Sequence, residues 1–371
     1  MRIALDVRPM TPHFPGIQRY IKGLLSGFNT LDLGAEAIRL TALRTATQPD
    51  PGIPDHPVEA GSFTLAQQWQ VPRALRHLDV DVYHSTYYVM PYHPGRPTVL
   101  TWYDLIPLLF PRHVSFSARW LFPILARLAL RTATRVIAIS QATKDDLIRR
   151  LGISPDRIDV VPLAADPAFC PAPSTAITTV RERLALPRDY VLYVGSNKPH
   201  KNLVTLVRAW ARLYEEDQHG GCQLVIAGPW DPRYPEARDE AASLLERAAI
   251  RFLGPVPEPD LPALYSGATA FVFPSLYEGF GLPVLEAMSC GTPVVCADRS
   301  SLREVAADAA ILVDPTDVAT IARGIATVLH DGELRVRLRE AGLRRAREFN
   351  WQETARQTIE TYRQAAQMHG N

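Results

Sequence analysis

The chain has 371 residues, of which 47% are hydrophobic, and a formal net charge of +1. This length predicts two domains of ordinary size, and the apolar fraction is typical of a soluble globular protein. A charge so close to neutral gives no support for nucleic-acid binding. The four cysteines lack metal-type spacing, and no apolar run approaches membrane-spanning length. We therefore expect a cytoplasmic protein without a signal peptide and with reduced, buried thiols.

Strand-like runs alternate with helical patterns in the first half, which is typical of parallel α/β sheets. Strands are predicted at residues 3–7, 39–43, 82–84, 98–101 and 136–140. Helices are predicted at residues 17–28, 65–78, 116–132 and 142–151. Residues 162–173 are rich in proline and alanine and lack periodicity, which predicts an inter-domain linker.

The alternation starts again in the second half. Strands are predicted at residues 190–194, 223–227, 250–253, 270–273, 293–296 and 310–313. Helices are predicted at residues 202–216, 235–249, 261–267, 282–289, 321–329, 333–348 and 351–368. The last of these follows Asn350, and we expect it to pack on the first domain through Trp351, Ile359 and Tyr362. Two doubly wound domains predict a ligand site in a cleft beyond the carboxyl ends of their strands.

One stretch of the second half, residues 274–292 (PSLYEGFGLPVLEAMSCGT), combines glutamates and glycines in a way that predicts a ligand-binding site. It follows an apolar strand, and Pro283 is predicted to begin a helix with Glu286 in its first turn, where the helix dipole favours a carboxylate. Glycines before that helix let the backbone approach a ligand, and the free N–H groups form an anion site. With Glu278 on the other side, the stretch favours a sugar attached to a phosphate. The alternative is an ordinary strand–turn–helix with solvated glutamates.

Four segments of the second half resemble a large family of retaining glycosyltransferases: VLYVGSNKPHKNL, LVIAGP, the stretch from IRFLGP to VVCAD, and LREVAADAAILVDP. The hallmark of that family is two glutamates separated by seven residues, matched here by Glu278 and Glu286. In the first half, DVRPM, FPGIQRY, VLTWYDLIPLLFP and the run from VIAISQ to PLAAD are similar to the bacterial polysaccharide mannosyltransferase branch.

The resemblance implies an α/β fold of the GT-B type, with two Rossmann-like domains facing a central cleft. Residues 1–172 would form the acceptor domain, residues 173–350 the nucleotide-sugar donor domain, and residues 351–371 a helix that crosses back to the first domain. The implied activity is retaining transfer of a hexose, such as mannose from GDP-mannose, to a glycan or lipid-linked acceptor in cell-surface polysaccharide synthesis. Two alternatives stay open, a nucleotide-sugar epimerase of the same fold and a non-catalytic nucleotide-sugar-binding subunit.

The resemblance also implies roles for individual residues of the donor domain. Lys201 would neutralise the departing diphosphate and act with Glu278 in catalysis, although a helix-start lysine can also be merely exposed. Where many relatives carry an arginine, Ser196 stands here, and Lys198 is the candidate substitute, without arginine's bidentate fork. The full set of implied donor-binding residues is Gly16, Gly195, Ser196, Lys198, Gly279, Phe280, Gly281, Leu282 and Glu286. No cofactor and no metal are implied, because the nucleotide-sugar is a co-substrate.

Three residues of the first half are candidate contacts for the sugar or the acceptor. Tyr103 stands where many relatives have a histidine, and it cannot act as a base near neutral pH without a large pKa shift. The neighbouring Asp104 is either such a contact or a turn or helix cap, and His84 is either a contact or a structural histidine. Gly16 could equally be an ordinary turn glycine. The acidic triplet Asp79–Asp81 resembles the manganese-binding triplet of the other major glycosyltransferase fold. Here it precedes its strand, so it is expected at the end of the sheet away from the cleft, which disfavours a metal role.

The segment from Arg112 to Arg135 mixes arginines with large apolar residues. This composition suits a basic amphipathic helix that makes peripheral contact with an anionic membrane, near a lipid-linked acceptor. The alternative is a domain helix with an apolar core face and a solvated arginine face. The residues concerned are Arg119, Trp120, Leu121, Phe122, Ile124, Leu125, Arg127 and Arg131.

Overall fold

The computed structural model describes residues 1–11, 14–31, 39–45, 53–111, 116–244 and 249–368. The chain forms two compact units. The N-terminal unit comprises Met1–Ala164 and Phe349–Asn371, and the C-terminal unit comprises Ala165–Glu348. No helix in the described residues is both long enough and apolar enough to cross a membrane.

The N-terminal unit is built on a seven-stranded sheet with strand order β3-β2-β1-β4-β5-β6-β7, and all of its pairs are parallel. The strands are β1 (Arg2–Asp6), β2 (Arg39–Arg44), β3 (Asp55–Pro57), β4 (Val82–Ser85), β5 (Thr98–Trp102), β6 (Arg135–Ala138) and β7 (Ile158–Val160). Every residue of β4 and β5 is buried, as expected for parallel strands with helices on both faces. The direction of the connections reverses between β1 and β4, which is the switch point of this sheet.

Among the described residues, the helices that connect the strands of this unit are α1 (Pro15–Asn29), α2 (Gln67–Leu78), α3 (Ile106–Leu109), α4 (Phe116–Thr132) and α5 (Gln141–Leu151). Local sequence explains several of their ends. Pro15 occupies the first position of α1, where its missing N–H costs nothing. Ser140 caps α5 by accepting a hydrogen bond from the Thr143 backbone N–H at 3.0 Å, and Gly152 ends that helix in the left-handed conformation.

The C-terminal unit contains a six-stranded parallel sheet with strand order β10-β9-β8-β11-β12-β13. The strands are β8 (Tyr190–Val194), β9 (Gln223–Ala227), β10 (Ile250–Gly254), β11 (Ala270–Phe273), β12 (Val294–Ala297) and β13 (Ala310–Val313). Its helices are α6 (Ser174–Arg183), α7 (Leu203–Glu215), α8 (Glu236–Leu244), α9 (Leu261–Ser266), α10 (Leu282–Ser289), α11 (Ser300–Ala306), α12 (Val318–His330) and α13 (Gly332–Ala346). The switch point of this sheet lies between β8 and β11.

The last helix, α14 (Trp351–Gln367), belongs to the N-terminal unit and packs against α1. The Asn350 side chain caps it by accepting a hydrogen bond from a first-turn backbone N–H at 2.8 Å. Gly23 and Gly27 of α1 make room for Trp351, because a Cβ at either glycine would overlap the ring or the backbone of that tryptophan. Ile359 of the same helix is also buried.

The predicted alternation of strands and helices is confirmed in both halves. The short strands β3 and β7 are not apparent in the sequence, because three residues are too few to make an apolar run. The helix predicted at residues 235–249 is observed as α8, and residues 245–248 lie outside the described residues. Within the predicted linker, residues 162–173, the division between the units falls after Ala164.

Candidate active site

The loops that follow β8, β11 and β13 meet at the carboxyl edge of the C-terminal sheet, and Asn202 holds them together. Its backbone adopts the left-handed conformation with φ of 62°, which asparagine tolerates better than most residues. Its side-chain Nδ2 donates hydrogen bonds to the carbonyls of Pro274 at 3.0 Å and Pro315 at 2.7 Å. The Thr205 hydroxyl donates to Asn202 Oδ1 at 2.6 Å. The turn that carries the neighbouring Lys201 is therefore fixed in place.

Lys201 and Glu278 form an ion pair at this edge. Lys201 Nζ lies 2.7 Å from Glu278 Oε1 and 2.9 Å from Oε2, so the ammonium group donates to both carboxylate oxygens. The side chains are only 17% and 10% exposed, respectively, so water screens the pair weakly. Lys201 Nζ also lies 5.2 Å from the centroid of the Phe273 ring, close enough for a cation–π contact. The structure thus joins the two residues that the resemblance implies for catalysis.

Two serines after β12 hold the backbone of Glu278. The Glu278 backbone N–H donates to Ser300 Oγ at 3.0 Å, and the Ser301 hydroxyl donates to the Glu278 carbonyl at 2.9 Å. Ser300 adopts a positive φ of 48°, a backbone conformation that is unfavourable for serine and is often found at functional sites. The carboxylate of Glu278 therefore extends from a fixed main chain.

The glycine loop after Glu278 leads directly into α10. Gly281 has a φ of 101°, and a Cβ there would lie 2.5 Å from Leu302 Cδ2, so only glycine fits without a shift. Phe280 is 3% exposed and anchors the loop between Gly279 and Gly281. α10 begins at Leu282, directly after the glycine loop. The backbone N–H groups of Val284 and Leu285 donate to the Gly281 carbonyl at 3.0 and 3.4 Å, and Pro283 has no N–H, so Leu282 is the candidate N–H donor to an anion at this helix start.

Glu286 lies in the second turn of α10, so the expected first-turn position was wrong. The helix begins one residue earlier than Pro283, and the dipole argument for this carboxylate therefore does not hold. Glu286 is 2% exposed and accepts a hydrogen bond from the Tyr265 hydroxyl at 3.0 Å. Tyr265 is fully buried, with its ring edge-on to Phe169 and Phe271. The packed tyrosine thus orients the second glutamate.

The segment after β8 contains the position where an arginine was expected. A Cβ at Gly195 would lie 2.7 Å from the Tyr193 hydroxyl, which donates to the Ser196 carbonyl at 3.0 Å. Lys198 is exposed, and its charge helps to hold down the pKa of Asp231, which is lowered to about 2 chiefly by hydrogen bonds from Arg233. The Lys198 carbonyl accepts a hydrogen bond from the Lys201 backbone N–H at 2.8 Å, so Lys198 contacts the residue of the ion pair through its main chain.

The candidates of the N-terminal unit occupy different environments. Gly16 lies in the exposed first turn of α1, with nothing near the position of a Cβ. The Tyr103 hydroxyl donates to the Thr86 carbonyl at 3.0 Å, and burial raises the pKa of Tyr103 well above its usual value. Asp104 Oδ1 accepts a hydrogen bond from the Ile106 backbone N–H at 2.8 Å, which is the turn-forming role.

His84 lies in the core of the N-terminal unit and is fully buried. Its Nδ1 is 2.7 Å from the Tyr362 hydroxyl of α14, and its Nε2 is 2.8 Å from Thr101 Oγ1. The Tyr20 hydroxyl lies 2.9 Å from the same threonine oxygen. Burial lowers the pKa of His84 to about 3, so the ring is neutral at physiological pH. These contacts fit the structural alternative, in which His84 ties α14 to the sheet.

Sequence reasoning missed four residues that shape this site: Asn202, Tyr265, Ser300 and Ser301. Asn202 is the only one with a local signal, because an asparagine at a strand-to-helix turn often marks a left-handed residue. The other three act through contacts between distant parts of the chain. In the described residues no group of three or more His, Cys, Asp or Glu side chains could hold a metal ion. Asp79 and Asp81 instead bond to Arg2.

Comparisons with known proteins agree with this fold. A family model described as "Glycosyl transferases group 1" matches residues 177–345, and one described as "Glycosyltransferase Family 4" matches residues 16–169. The chain is 34% identical over 298 residues to O-antigen chain mannosyltransferase B of Escherichia coli, covering 78% of this chain and 76% of that protein. It is 37% identical over 252 residues to a D-inositol 3-phosphate glycosyltransferase of Salinispora arenicola, covering 64% of this chain and 56% of that protein. Among solved structures, Anabaena HepE in complex with UDP-glucose overlaps with a TM-score of 0.76 at 20% identity, covering 97% of this chain and 99% of that chain.

Proposed function

The chain belongs to the group 1 glycosyl transferases, and we propose that it transfers mannose from GDP-mannose to a glycan or lipid-linked acceptor in cell-surface polysaccharide synthesis. The expected GT-B type of fold, with two Rossmann-like domains, is confirmed. The similarity to an O-antigen chain mannosyltransferase supports mannose as the sugar and a polysaccharide as the product. The proposed location is the cytoplasmic side of a membrane, where this donor and a lipid-linked acceptor would meet.

The observation that carries the proposal is the Lys201–Glu278 pair beside the start of α10. An ammonium group has three N–H donors, and Glu278 takes up two of them. The third donor is left for an oxygen of the donor's diphosphate, and the Leu282 N–H at the start of α10 would donate to another phosphate oxygen. Together these groups would stabilise the negative charge that develops on the diphosphate as the sugar departs.

The two glutamates would then have separate tasks. Glu278, held beside Lys201, would contact a hydroxyl of the transferred sugar and offset positive charge that develops at its anomeric carbon. Glu286, oriented by Tyr265, would accept hydrogen bonds from the ribose hydroxyls. The ribose does not change during the reaction, so Glu286 contributes uniform binding, whereas the contribution of Glu278 grows in the transition state.

Retention at the anomeric carbon is part of the proposal and follows from the resemblance of the glutamate motif. We assign attack to the acceptor hydroxyl on the face from which the diphosphate leaves, with the leaving phosphate taking up the proton. Positioning of that hydroxyl supplies much of the remaining rate enhancement. A histidine base is not required in this scheme, which suits the tyrosine at position 103 and its hydrogen bond to the Thr86 carbonyl.

The test is donor turnover with and without acceptors. The purified chain is incubated with GDP-mannose, GDP-glucose, UDP-glucose or UDP-galactose, each with mannose-terminated oligosaccharides or a lipid-linked acceptor. The expected result is release of GDP that depends on the acceptor, together with an α-linked product identified by NMR. Conversion of the donor to an isomer without acceptor would identify an epimerase instead. Binding of nucleoside diphosphate without any turnover would identify a non-catalytic subunit.

The proposal also includes peripheral membrane contact through the segment 112–135. Residues 112–115 lie outside the described residues, so the structural support comes from α4. This helix exposes Trp120, Leu121 and Ile124 together with Arg119 and Arg127, which is the composition expected of a helix at a membrane surface.

A further inference from the structure

An open cavity of about 330 Å³ lies on the C-terminal unit, at the edge of its sheet where the strands begin. Thr269 stands directly before β11 and Pro293 directly before the first residue of β12, and both line the cavity. Lys201 and Glu278 follow the opposite ends of the strands, and the 4 residues of β11 separate the two edges by about 13 Å. The cavity is therefore distinct from the candidate active site. Its volume lies at the lower end of the range for small-molecule sites.

Two arginines of α13, Arg335 and Arg339, line this cavity. They are one turn apart, so they lie on the same side of the helix. Arg335 Nη1 donates to the carbonyls of Val328 and Leu329 at 2.9 and 2.5 Å. Arg339 Nη1 donates to the Gly291 carbonyl at 3.1 Å. The main chain of neighbouring elements thus holds both guanidinium groups in place.

The other nitrogens of the two arginines are available to a ligand. A guanidinium group has five N–H donors, and no acceptor in the described residues takes a hydrogen bond from Nε or Nη2 of either arginine. The ion pairs that α13 forms in the described residues involve Arg337, Arg344 and Arg345 instead. The lining of the cavity, as far as the structure describes it, contains no carboxylate. Two fixed cations in a concave site favour an anionic ligand.

The carboxylates closest in sequence to the two arginines lie elsewhere on α13. At about 100° per residue, Glu333 and Glu340 are placed about 100° or more around the helix axis from both arginines. They pair with Arg337 and Arg344, at 3.9 Å in each case. Asp331, which precedes the helix, caps it by accepting a hydrogen bond from a first-turn backbone N–H at 2.8 Å. The side of α13 that lines the cavity therefore carries cations and no carboxylate.

We infer that this cavity binds a phosphate monoester of a small molecule, with the phosphate between Arg335 and Arg339. A guanidinium group can donate to two phosphate oxygens at once, and a monoester carries nearly two negative charges at neutral pH. A carboxylate has one charge and two oxygens, so it could engage only one of the arginines in this way. Ala268, Pro293 and Val336 supply an apolar wall for the carbon framework of the ligand.

The wall of the cavity is continuous with the support of Glu286. Ser266 lines the cavity directly after Tyr265, and its hydroxyl donates to the Cys290 carbonyl at 3.3 Å. Thr292 Oγ1 donates to the Tyr265 carbonyl at 2.7 Å. Because the Tyr265 hydroxyl orients Glu286, a ligand that fixes this wall changes the affinity of the donor site, and the cavity is then an effector site. The effector role rests on the proposed function, whereas binding at the cavity does not.

The test measures binding of mannose 1-phosphate, adenosine monophosphate and inorganic phosphate to the full chain by calorimetry, with mannose and adenosine as uncharged controls. We expect both monoesters to bind more tightly than inorganic phosphate, and the uncharged molecules not to bind. Arg335→Gln with Arg339→Gln should weaken monoester binding on the order of a hundredfold. The matched control, Arg337→Gln with Arg344→Gln, removes the same charge from the other side of the helix and should bind like the wild type.

A further variant keeps both arginines and their contacts with the main chain. Val336 is 55% exposed, so Val336→Glu should fold normally, and its carboxylate should weaken monoester binding about tenfold. Equal affinity of Val336→Glu and the wild type, or equal affinity for inorganic phosphate and the monoesters, would overturn the assignment of a monoester to this cavity. Monoester binding that is lost in Lys201→Met and retained in the double arginine variant would place the ligand in the donor site and would also overturn it.

The effector role is tested by the dissociation constant of GDP. Saturating monoester should change that constant at least about fivefold in the wild type and leave it unchanged in the variant that lacks Arg335 and Arg339. A constant that stays the same in the wild type would refute the effector role. Absence of GDP binding without monoester, while the monoester still binds, would count against the proposed function and not against the cavity.

Discussion

The ion pair between Lys201 and Glu278 should be important for both stability and catalysis, and paired substitutions can separate the two effects. Both side chains are largely buried, at 17% and 10% exposure. Lys201→Met removes one charge and leaves the other buried without its partner, which costs about 3–5 kcal/mol. In a unit of this size each kcal/mol corresponds to roughly 2–4 °C, so the melting temperature should fall by about 6–20 °C. Glu278→Gln should show a smaller effect of the same sign, because an amide can still accept a hydrogen bond from the ammonium group.

The double variant Lys201→Met/Glu278→Gln carries neither charge and should therefore melt above Lys201→Met alone. Its turnover should stay at least about a hundredfold below that of the wild type, as expected for loss of one group that stabilises the leaving diphosphate. The assays are thermal unfolding and steady-state kinetics of all four proteins, with GDP affinity measured by thermal shift. Glu278→Gln should bind GDP about as well as the wild type, because Lys201 remains.

Three outcomes would refute this reasoning. A melting temperature for Lys201→Met equal to that of the wild type would mean that the charges do not depend on each other for stability. A double variant less stable than either single variant would show two independent contributions instead of one coupled pair. Turnover near normal in Lys201→Met would show that another cation, such as Lys198, stabilises the diphosphate.

Three further predictions concern the groups around the site and the core. Tyr265→Phe should raise the donor's apparent Michaelis constant about fivefold with little change in kcat, because the hydrogen bond to Glu286 is lost. Tyr190→Phe also loses a buried hydroxyl but should leave both constants unchanged. Steady-state kinetics of the two variants tests this prediction. Gly27→Ala should lower the melting temperature, because the added methyl group overlaps the α14 backbone. Gly16→Ala in the same helix should leave the melting temperature unchanged or raise it, because nothing lies near the added methyl group. Equal melting temperatures for the two variants would contradict this packing. His84 is neutral when folded, with its pKa lowered from 6.5 to about 3, so the unfolded chain binds the extra proton. The contribution of His84 to the unfolding free energy should therefore fall by about 1.4 kcal/mol per pH unit between pH 6.5 and about 3, and denaturant titrations of His84→Gln should lack that contribution.

The sequence predicts the long strands and helices and the two halves of the candidate site, because each has a local signal. Strong apolar runs mark β8 and β11, and glycine with proline marks the start of α10. The contact between Lys201 and Glu278 has no such signal, because the residues are 77 positions apart. It depends on β8 and β11 being neighbours in the sheet, which the sequence pattern does not specify.

Two residues show why a local pattern does not determine the environment of a polar group. The sequence predicts His84 at the end of a strand, and a strand end can point to a ligand site as readily as to the core. Its environment is set by Tyr362, which is 278 positions away on α14. Glu286 was expected to gain from the helix dipole, yet its environment is set by Tyr265 on α9, a helix that precedes β11. A buried polar group is defined by its partners, and those partners come from the tertiary fold.

The absence of an arginine at position 196 changes how the proposed site must stabilise the diphosphate. An arginine could clamp two phosphate oxygens at once, whereas the lysine at position 201 shares its three donors between Glu278 and the ligand. Part of the remaining charge would then be met by the backbone, and Gly281 with its φ of 101° lets the chain turn so that the Leu282 N–H stands at the start of α10. Since this amide is fixed before the ligand binds, it would stabilise the departing diphosphate without reorganising. The glycine loop is therefore as necessary to the proposed chemistry as the lysine.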